Sequence, residues 1–411
     1  MKHTLYFYFL PLLWLGLVIS CDNGGNSQNS SEKLDLEEKA RELAFKYIIT
    51  DGHVDLPYRL KENMEDISTT TEAGDFDHQR AKAGGLDAPF MSIYIPAENE
   101  GTGNAKPLAD SLIDMVVGLT VDYPDKFALA NTPEDIESNF QKGLISFPMG
   151  MENGSPIEGD IRNVQYFFDR GIRYITLTHS KDNHICDSSY DTLHTWNGLS
   201  PFGTEVVKEM NRLGMMIDVS HLSDSTFYQV MAVNKAPSIA SHSSCRHFTP
   251  GWQRNMSDDM IKKLAENGGV IQINFGSTFL DQASLKSWEK IDAHNKQWLA
   301  DNQLTEKDPR AKEYTDKYHH DNFIYTDITK VVAHIDHVVH LVGIDYVAFG
   351  SDFDGLGDSL PEGLKDVSQY PNLIKHLLEK GYSEEDIRKI CYANVFRVWK
   401  QVIEVARESK T

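Results

Sequence analysis

The stretch Ser200-Pro201-Phe202-Gly203-Thr204-Glu205-Val206-Val207-Lys208-Glu209-Met210-Asn211-Arg212-Leu213-Gly214-Met215-Met216-Ile217-Asp218-Val219-Ser220-His221 contains one complete unit of the fold. Ser200 is a good helix N-cap, and Pro201 suits the first helical position because its missing N–H would be unpaired there anyway. Gly214 suits the left-handed position just past a helix end. The apolar run that follows reads as a short buried strand, ending on His221. The same grammar recurs at residues 132–143, 160–171, 223–236 and 257–268.

Working outward from that unit, eight strands are expected, at 48–55, 89–95, 144–150, 173–179, 215–221, 238–242, 270–275 and 346–352. Most are continuous apolar runs, as parallel strands covered on both faces require. Their alternation with helices implies βαβ units. Eight units suit a (β/α)8 TIM-type barrel; an open doubly wound sheet has the same alternation. Two stretches break the rhythm. Residues 97–132 form a long connection with a helix expected at 108–123. A polar insertion around 277–326 should contain helices near 283–302 and 309–319. Both leave the C-terminal ends of strands, where binding loops belong. Residues 32–411 are thus expected to form a single catalytic domain.

The chain has 411 residues, 40% of them hydrophobic, which is enough for a large core. Its formal net charge of −21 argues against nucleic acid or an anionic membrane as a partner. The N-terminus differs from the rest. Lys2 precedes an apolar run at 5–19, then Ser20 and Cys21. Residues 1–20 therefore read as a signal peptide. Val18-Ile19-Ser20-Cys21 looks like a bacterial lipobox, with lipidation expected at Cys21. Residues 21–31, rich in Asn, Gly and Ser, read as a flexible tether. The protein is then expected in the cell envelope, lipid-anchored to a bacterial membrane with its catalytic domain outside the cytoplasm. Cys186, Cys245 and Cys391 allow at most one disulfide and match no thiolate metal spacing.

The ionisable residues fall at the strand ends. His53 and Asp55 end the first strand and Glu152 follows the third. His179, His221, His242 and Asp352 end the fourth, fifth, sixth and eighth. In a barrel this rim is where catalytic groups assemble. Any one of these residues alone reads more simply as core or surface, but that reading does not explain a repeat around a ring. His53 and Asp55, two apart in a strand, point to the same side. His53, Asp55, Glu152, His221 and His242 form a nitrogen and oxygen donor set that suits zinc. Five donors exceed one tetrahedral catalytic site and fit two ions sharing a carboxylate. A water between the ions would be the nucleophile. Asp352 is the candidate to accept its proton, and His179 to stabilise the developing oxyanion.

The segments Asp51-Gly52-His53-Val54-Asp55-Leu56-Pro57, Leu177-Thr178-His179, Ile217-Asp218-Val219-Ser220-His221, Ser241-His242-Ser243-Ser244 and Gly350-Ser351-Asp352-Phe353-Asp354-Gly355 resemble the membrane dipeptidase (renal dipeptidase) family of zinc peptidases. The resemblance runs over about residues 50–400. It implies hydrolysis of dipeptides, often with a D-residue at the C-terminal side, and in some members opening of β-lactams. It implies two Zn²⁺ per subunit: His53 and Asp55 on one, His221 and His242 on the other, Glu152 between them. It implies substrate contacts from His179 and Arg254, with Arg254 gripping the free carboxylate, and Asp352 as acid/base. Family members are often dimers, so a homodimer is expected. Val54 stands where relatives often have Asn, Asn153 where many have Gly, and Phe279 near a Tyr used by some relatives to grip substrate. Only the last bears on substrate preference.

Two other readings compete. A binuclear-metal amidohydrolase acting on cyclic amides or β-lactams would use nearly the same metal chemistry, but a carboxylate anchor at Arg254 favours a peptide-like end. A non-catalytic, lipid-anchored binding protein should lack a ligand or Asp352, and neither is missing. His334, His337 and His340, three apart on an expected helix, read as packing or surface residues, and His319-His320 as solvated.

Overall fold

The computed structural model describes Met1, Thr4 and residues 24–409, with side chains from residue 35 on. The expected signal peptide and lipidation at Cys21 lie outside the described residues. The first helix, Gly24–Lys46, begins within the stretch expected as a tether. Its C-terminal half buries Ala40, Leu43 and Ala44. A helix anchored there extends toward its N-terminus at one hydrogen bond per residue fixed. No helix among the described residues is long and apolar enough to cross a membrane.

The strands are β1 (Ile49–Val54), β2 (Leu86–Tyr94), β3 (Phe127–Leu129), β4 (Ile145–Phe147), β5 (Met149–Glu152), β6 (Ile172–Thr176), β7 (Met216–Asp218), β8 (Ile239–Ala240), β9 (Val270–Ile273) and β10 (Val347–Phe349). Eight pair in parallel in the order β1-β2-β5-β6-β7-β8-β9-β10. The seam between β10 and β1 is closed just beyond the strand ends. Val54 bridges Phe353, and the Asp352 N–H donates to His53 O at 3.0 Å. The buried Asp51 carboxylate accepts from the Ser351 N–H at 2.8 Å and the His53 N–H at 3.1 Å, stitching the same seam. The result is the expected (β/α)8 barrel.

The third expected strand differs from its reading. Residues 144–150 are split at Pro148, which has no N–H to give a ladder. Before it, β4 pairs with β3 in a separate two-stranded sheet. After it, β5 enters the barrel and carries Glu152 as its last residue. The helix after β2 begins slightly early, at Ala105–Asp122, and the insertion holds helices at Gln282–Asn302 and Pro309–Asn322.

Capping follows the sequence signals. Ser200 accepts from the Gly203 N–H at the start of Pro201–Leu213, and Gly214 ends that helix at φ 83°. Strand parity divides the core. Met91, Ile93, Ile175, Ile217 and Ile271 face the helices, while Phe90, Tyr174, Met216, Val270 and Ala348 fill the barrel. Trp399, from the C-terminal helix Asn394–Glu408, plugs the bottom against Phe90, ring centroids 5.4 Å apart. Truncating such a buried indole costs about 3–5 kcal/mol. With the lower end filled, only the upper rim is available for a site. Cys186, Cys245 and Cys391 are buried and unpaired.

Candidate metal centre

Six of the eight barrel strands lead to a polar residue at one spot above the plug. Glu152 Oε1 lies 3.1 Å from His221 Nε2, 3.4 Å from His242 Nε2 and 3.7 Å from His179 Nε2. Its other oxygen, Oε2, lies 3.3 Å from His53 Nε2. His53 Nε2 is in turn 3.6 Å from Asp55 Oδ2 and 4.0 Å from Asp352 Oδ1. The structure thus brings together all seven rim residues expected from the sequence. Their donor atoms form two adjoining groups, His53–Asp55–Glu152 and Glu152–His221–His242, that share Glu152. Asp352 lies beside the first group, close to both His53 and His242.

Hydrogen bonds beneath the site fix which ring nitrogens face it. Asp218 accepts from Ser241 Oγ at 2.6 Å and from Thr176 Oγ1 at 2.5 Å. Ser241 Oγ has its hydrogen committed there, so at 2.7 Å it accepts from His242 Nδ1–H. The Nε2 lone pair of His242 is left for the site. On the other side, Tyr174 OH donates to Gly52 O at 3.0 Å and so accepts from His53 Nδ1–H at 2.9 Å. Tyr174 reaches that position because its β5 neighbour is Gly150, where a Cβ would sit 1.9 Å from the ring. A hydrogen-bonded Nδ1 that leaves Nε2 bare is the usual support for a metal-binding imidazole. No periodic pattern in the chain singles out Tyr174 or Ser241. Their importance rests on which strands become neighbours.

Arg254 is buried and lies at the edge of the cluster. It donates to Ser243 Oγ and to His242 O, each at 2.8 Å, and its Nη2 is 3.0 Å from His221 Nε2. Guanidinium only donates, so His221 Nε2 is an acceptor as well. His221 Nε2 and His242 Nε2, two lone pairs, therefore face each other across 2.9 Å with a carboxylate oxygen beside them. The Arg254 N–H answers one of these lone pairs; the His242 lone pair and the carboxylate oxygen beside it need a further cation. His53 Nε2 and Asp55 Oδ1 are also buried without a hydrogen-bond partner. These residues fit a divalent metal, and nitrogen and oxygen donors without thiolate suit the borderline ions.

The electrostatics agree. Burial, with Arg254 and His179, holds the His221 imidazole well below its ordinary range. Burial, His53 and Arg254 push His242 down to about 4. Burial would lower His53 too, but Tyr174, Glu152 and Asp55 outweigh it and hold that ring well above its ordinary range. Burial raises Glu152, yet His53, His179, His221 and His242 outweigh it and keep the carboxylate ionised. Burial and then Asp55 lift Asp352 well above the usual carboxylate range, against the pull of His53.

Backbone strain marks the same residues. His221 and Asp352 adopt φ of 68° and 66°, a region that β-carbon sterics disfavour. The barrel ladders stop before these residues, so the chain is free to turn its side chains inward. Gly355 leaves room behind them; a Cβ there would meet Asp55 Oδ2 at 2.1 Å and Asp352 Oδ1 at 2.8 Å. An aromatic wall stands over Arg254: Phe279 lies 5.0 Å from its guanidinium carbon, and Trp252 packs edge-on against Phe279. Tyr94, packed on His179, also borders the site.

Proteins similar to this chain over most of its length include several dipeptidases. An uncharacterized dipeptidase of Schizosaccharomyces pombe is 32% identical over 380 residues, covering 89% of this chain and 83% of that protein. The crystal structure of the probable dipeptidase PvdM from Pseudomonas aeruginosa superposes with a TM-score of 0.79 at 27% identity, covering 90% of this chain and 99% of that one. The structure of dipeptidase AC, a metallo peptidase, does so with a TM-score of 0.72 at 25% identity, over 87% and 98% of the two chains. Residues 37–411 match the family described as membrane dipeptidase, peptidase family M19, and the chain belongs to that family of peptidases.

Proposed function

We propose that this chain hydrolyses the peptide bond of dipeptides, including those with a D-residue at the C-terminal side, with two zinc ions at the barrel rim. The observation that carries the reading is the pair of facing lone pairs on His221 and His242 beside Glu152, continued through Glu152 to His53 and Asp55. His53 and Asp55 would hold one ion, His221 and His242 the other, and Glu152 both. The ions would polarise the scissile carbonyl and bring a water near its ionisation point at neutral pH.

The protein's own residues do the rest. Asp352 is positioned by Asn274, whose Nδ2 donates to Oδ2 at 2.8 Å, leaving Oδ1 turned toward the rim. Its raised proton affinity suits a group that takes a proton from the attacking water and passes it to the leaving amine. His179, with Nδ1 buried and unpartnered, supplies a hydrogen-bonding edge for the oxygen that gains charge. Arg254 brings a fixed positive charge beside His221, and its buried Nε has no partner in the protein. It would meet the free carboxylate of the dipeptide. Cys21, after the apolar run at 5–19, would anchor the protein by lipid to the cell envelope.

The test compares dipeptides with their C-terminal amides. Arg254→Ala should raise KM for the free acid, a loss of about 1.5–3 kcal/mol for a hydrogen bond to a charged group. The amide, which lacks the carboxylate, should be poor from the start and lose much less. Equal losses on both substrates would make Arg254 a structural residue and remove the support for a dipeptide end-group.

A further inference from the structure

We propose that His247, Asp258 and His337 form a separate binding site for a borderline divalent cation of the zinc class on the outer wall of the barrel. Three different elements supply the residues. His247 belongs to the turn Arg246–Phe248, Asp258 opens the helix Asp258–Glu266, and His337 lies on the helix Ile328–Val342. The ligand atoms of all three lie within 4.8 Å of one another.

The other histidines of that region are excluded by their bonding. His334 is fully buried; its Nδ1 accepts the Cys245 N–H at 3.0 Å and its Nε2 donates to Leu280 O at 3.1 Å. His340 turns to solvent and bonds Asp336 O of its own helix. His337 instead leans out of the helix row. Its Nε2 is 2.8 Å from Asp258 Oδ1, and its ring stacks on His247 with centroids 4.5 Å apart and planes 22° from parallel. Two imidazoles and one carboxylate, reachable by solvent, are a zinc-type donor set with a position left for water. Zinc bonds of about 2.1 Å set tetrahedral donors roughly 3.4 Å apart, a spacing between the 2.8 Å of the His337–Asp258 pair and the 4.8 Å within which all three donors lie. His247 is exposed, so burial does not lock its ring in place.

The site's place in the chain gives it a consequence. Residues 242–256 run from His242 at the rim, through His247 on the outer wall, and back to Arg254 at the rim. A cation held by His247, Asp258 and His337 would clamp the middle of that loop to two outer helices. It would thereby restrain a segment whose two ends carry a metal donor and the buried guanidinium.

Equilibrium dialysis of the whole protein in excess Zn²⁺, followed by metal analysis, tests this. His247→Ala and His337→Ala should each bind one equivalent fewer than the unaltered protein, whatever number the rim holds. The rim's hydrolytic activity at limiting zinc should stay within about twofold, since neither residue touches it. In the unaltered protein Zn²⁺ should also slow amide exchange across 243–256, and His247→Ala should abolish that slowing. Equal zinc counts in the unaltered and His247→Ala proteins would overturn the proposal and reduce the cluster to a surface ion pair. Folding of His247→Ala is checked by its melting curve, which an exposed position should leave unchanged.

Discussion

His221 and His242 point ring nitrogen at ring nitrogen, with the two Nε2 atoms 2.9 Å apart. What makes this arrangement a metal site, and not a simple hydrogen bond, is the Asp218–Ser241 pair that keeps the His242 proton on Nδ1. Ser241→Ala removes that control without touching a proposed ligand. Zinc affinity should fall about 10–100-fold, as for other lost partners of metal-binding histidines. Competition against a chelator of known affinity measures it, and an unchanged constant would mean the serine does not set the tautomer.

Asp352→Asn preserves shape and the Asn274 contact but cannot take a proton. Hydrolysis should drop by about 10²-fold or more in kcat, with metal content intact. Loss of metal together with activity would instead make Asp352 a ligand.

Much of this was legible in the sequence because it rests on local rules. Ser200, Pro201 and Gly214 bound a helix by their own chemistry, and the His53-x-Asp55 pair is read from strand parity, with Asp55 set just past β1 as the N-cap of the helix Leu56–Glu62. What was not legible depends on contacts between distant strands. Tyr174 supports His53 only because Gly150 happens to be its lateral neighbour. Phe127–Leu129 lacks an alternating pattern of its own and becomes a strand by pairing with Ile145–Phe147. Pro148 could have warned that residues 144–150 are two strands, since no ladder passes through a missing N–H. His334, His337 and His340, read alike as packing or surface residues, are separated by their bonding into a core residue, a bridging residue and a solvated one.

Gly355 offers a test of the space behind the rim. A methyl group there would press on Asp55 and Asp352 at distances that real contacts do not allow. Gly355→Ala should fold, because the segment lies at the rim and not in the barrel core, yet lower both zinc affinity and turnover. Native activity and metal content in a folded Gly355→Ala protein would show that the carboxylates can move aside freely.

His334 gives the fold a dependence on acid. Burial holds it near 3, while the unfolded chain should titrate at about 6.5. Below pH ~6.5 the unfolded state therefore takes up a proton that the folded state refuses, so stability is complete above that pH and drains away as pH falls toward 3. The slope for this one group is about 1.4 kcal/mol per pH unit. In urea unfolding, His334→Gln should be clearly less stable than the unaltered protein at pH 7.5, and the gap should narrow by about 2 kcal/mol at pH 5. A gap independent of pH would mean His334 is not held neutral.

The most direct measurement is metal reconstitution. The protein stripped with a chelator is titrated with Zn²⁺ while hydrolysis of L,L and L,D dipeptides is followed. Activity should be absent at the start and rise to a plateau at about two equivalents per chain. Full hydrolysis by the metal-free protein, or a plateau at one equivalent, would contradict a centre in which Glu152 joins the His53–Asp55 and His221–His242 groups.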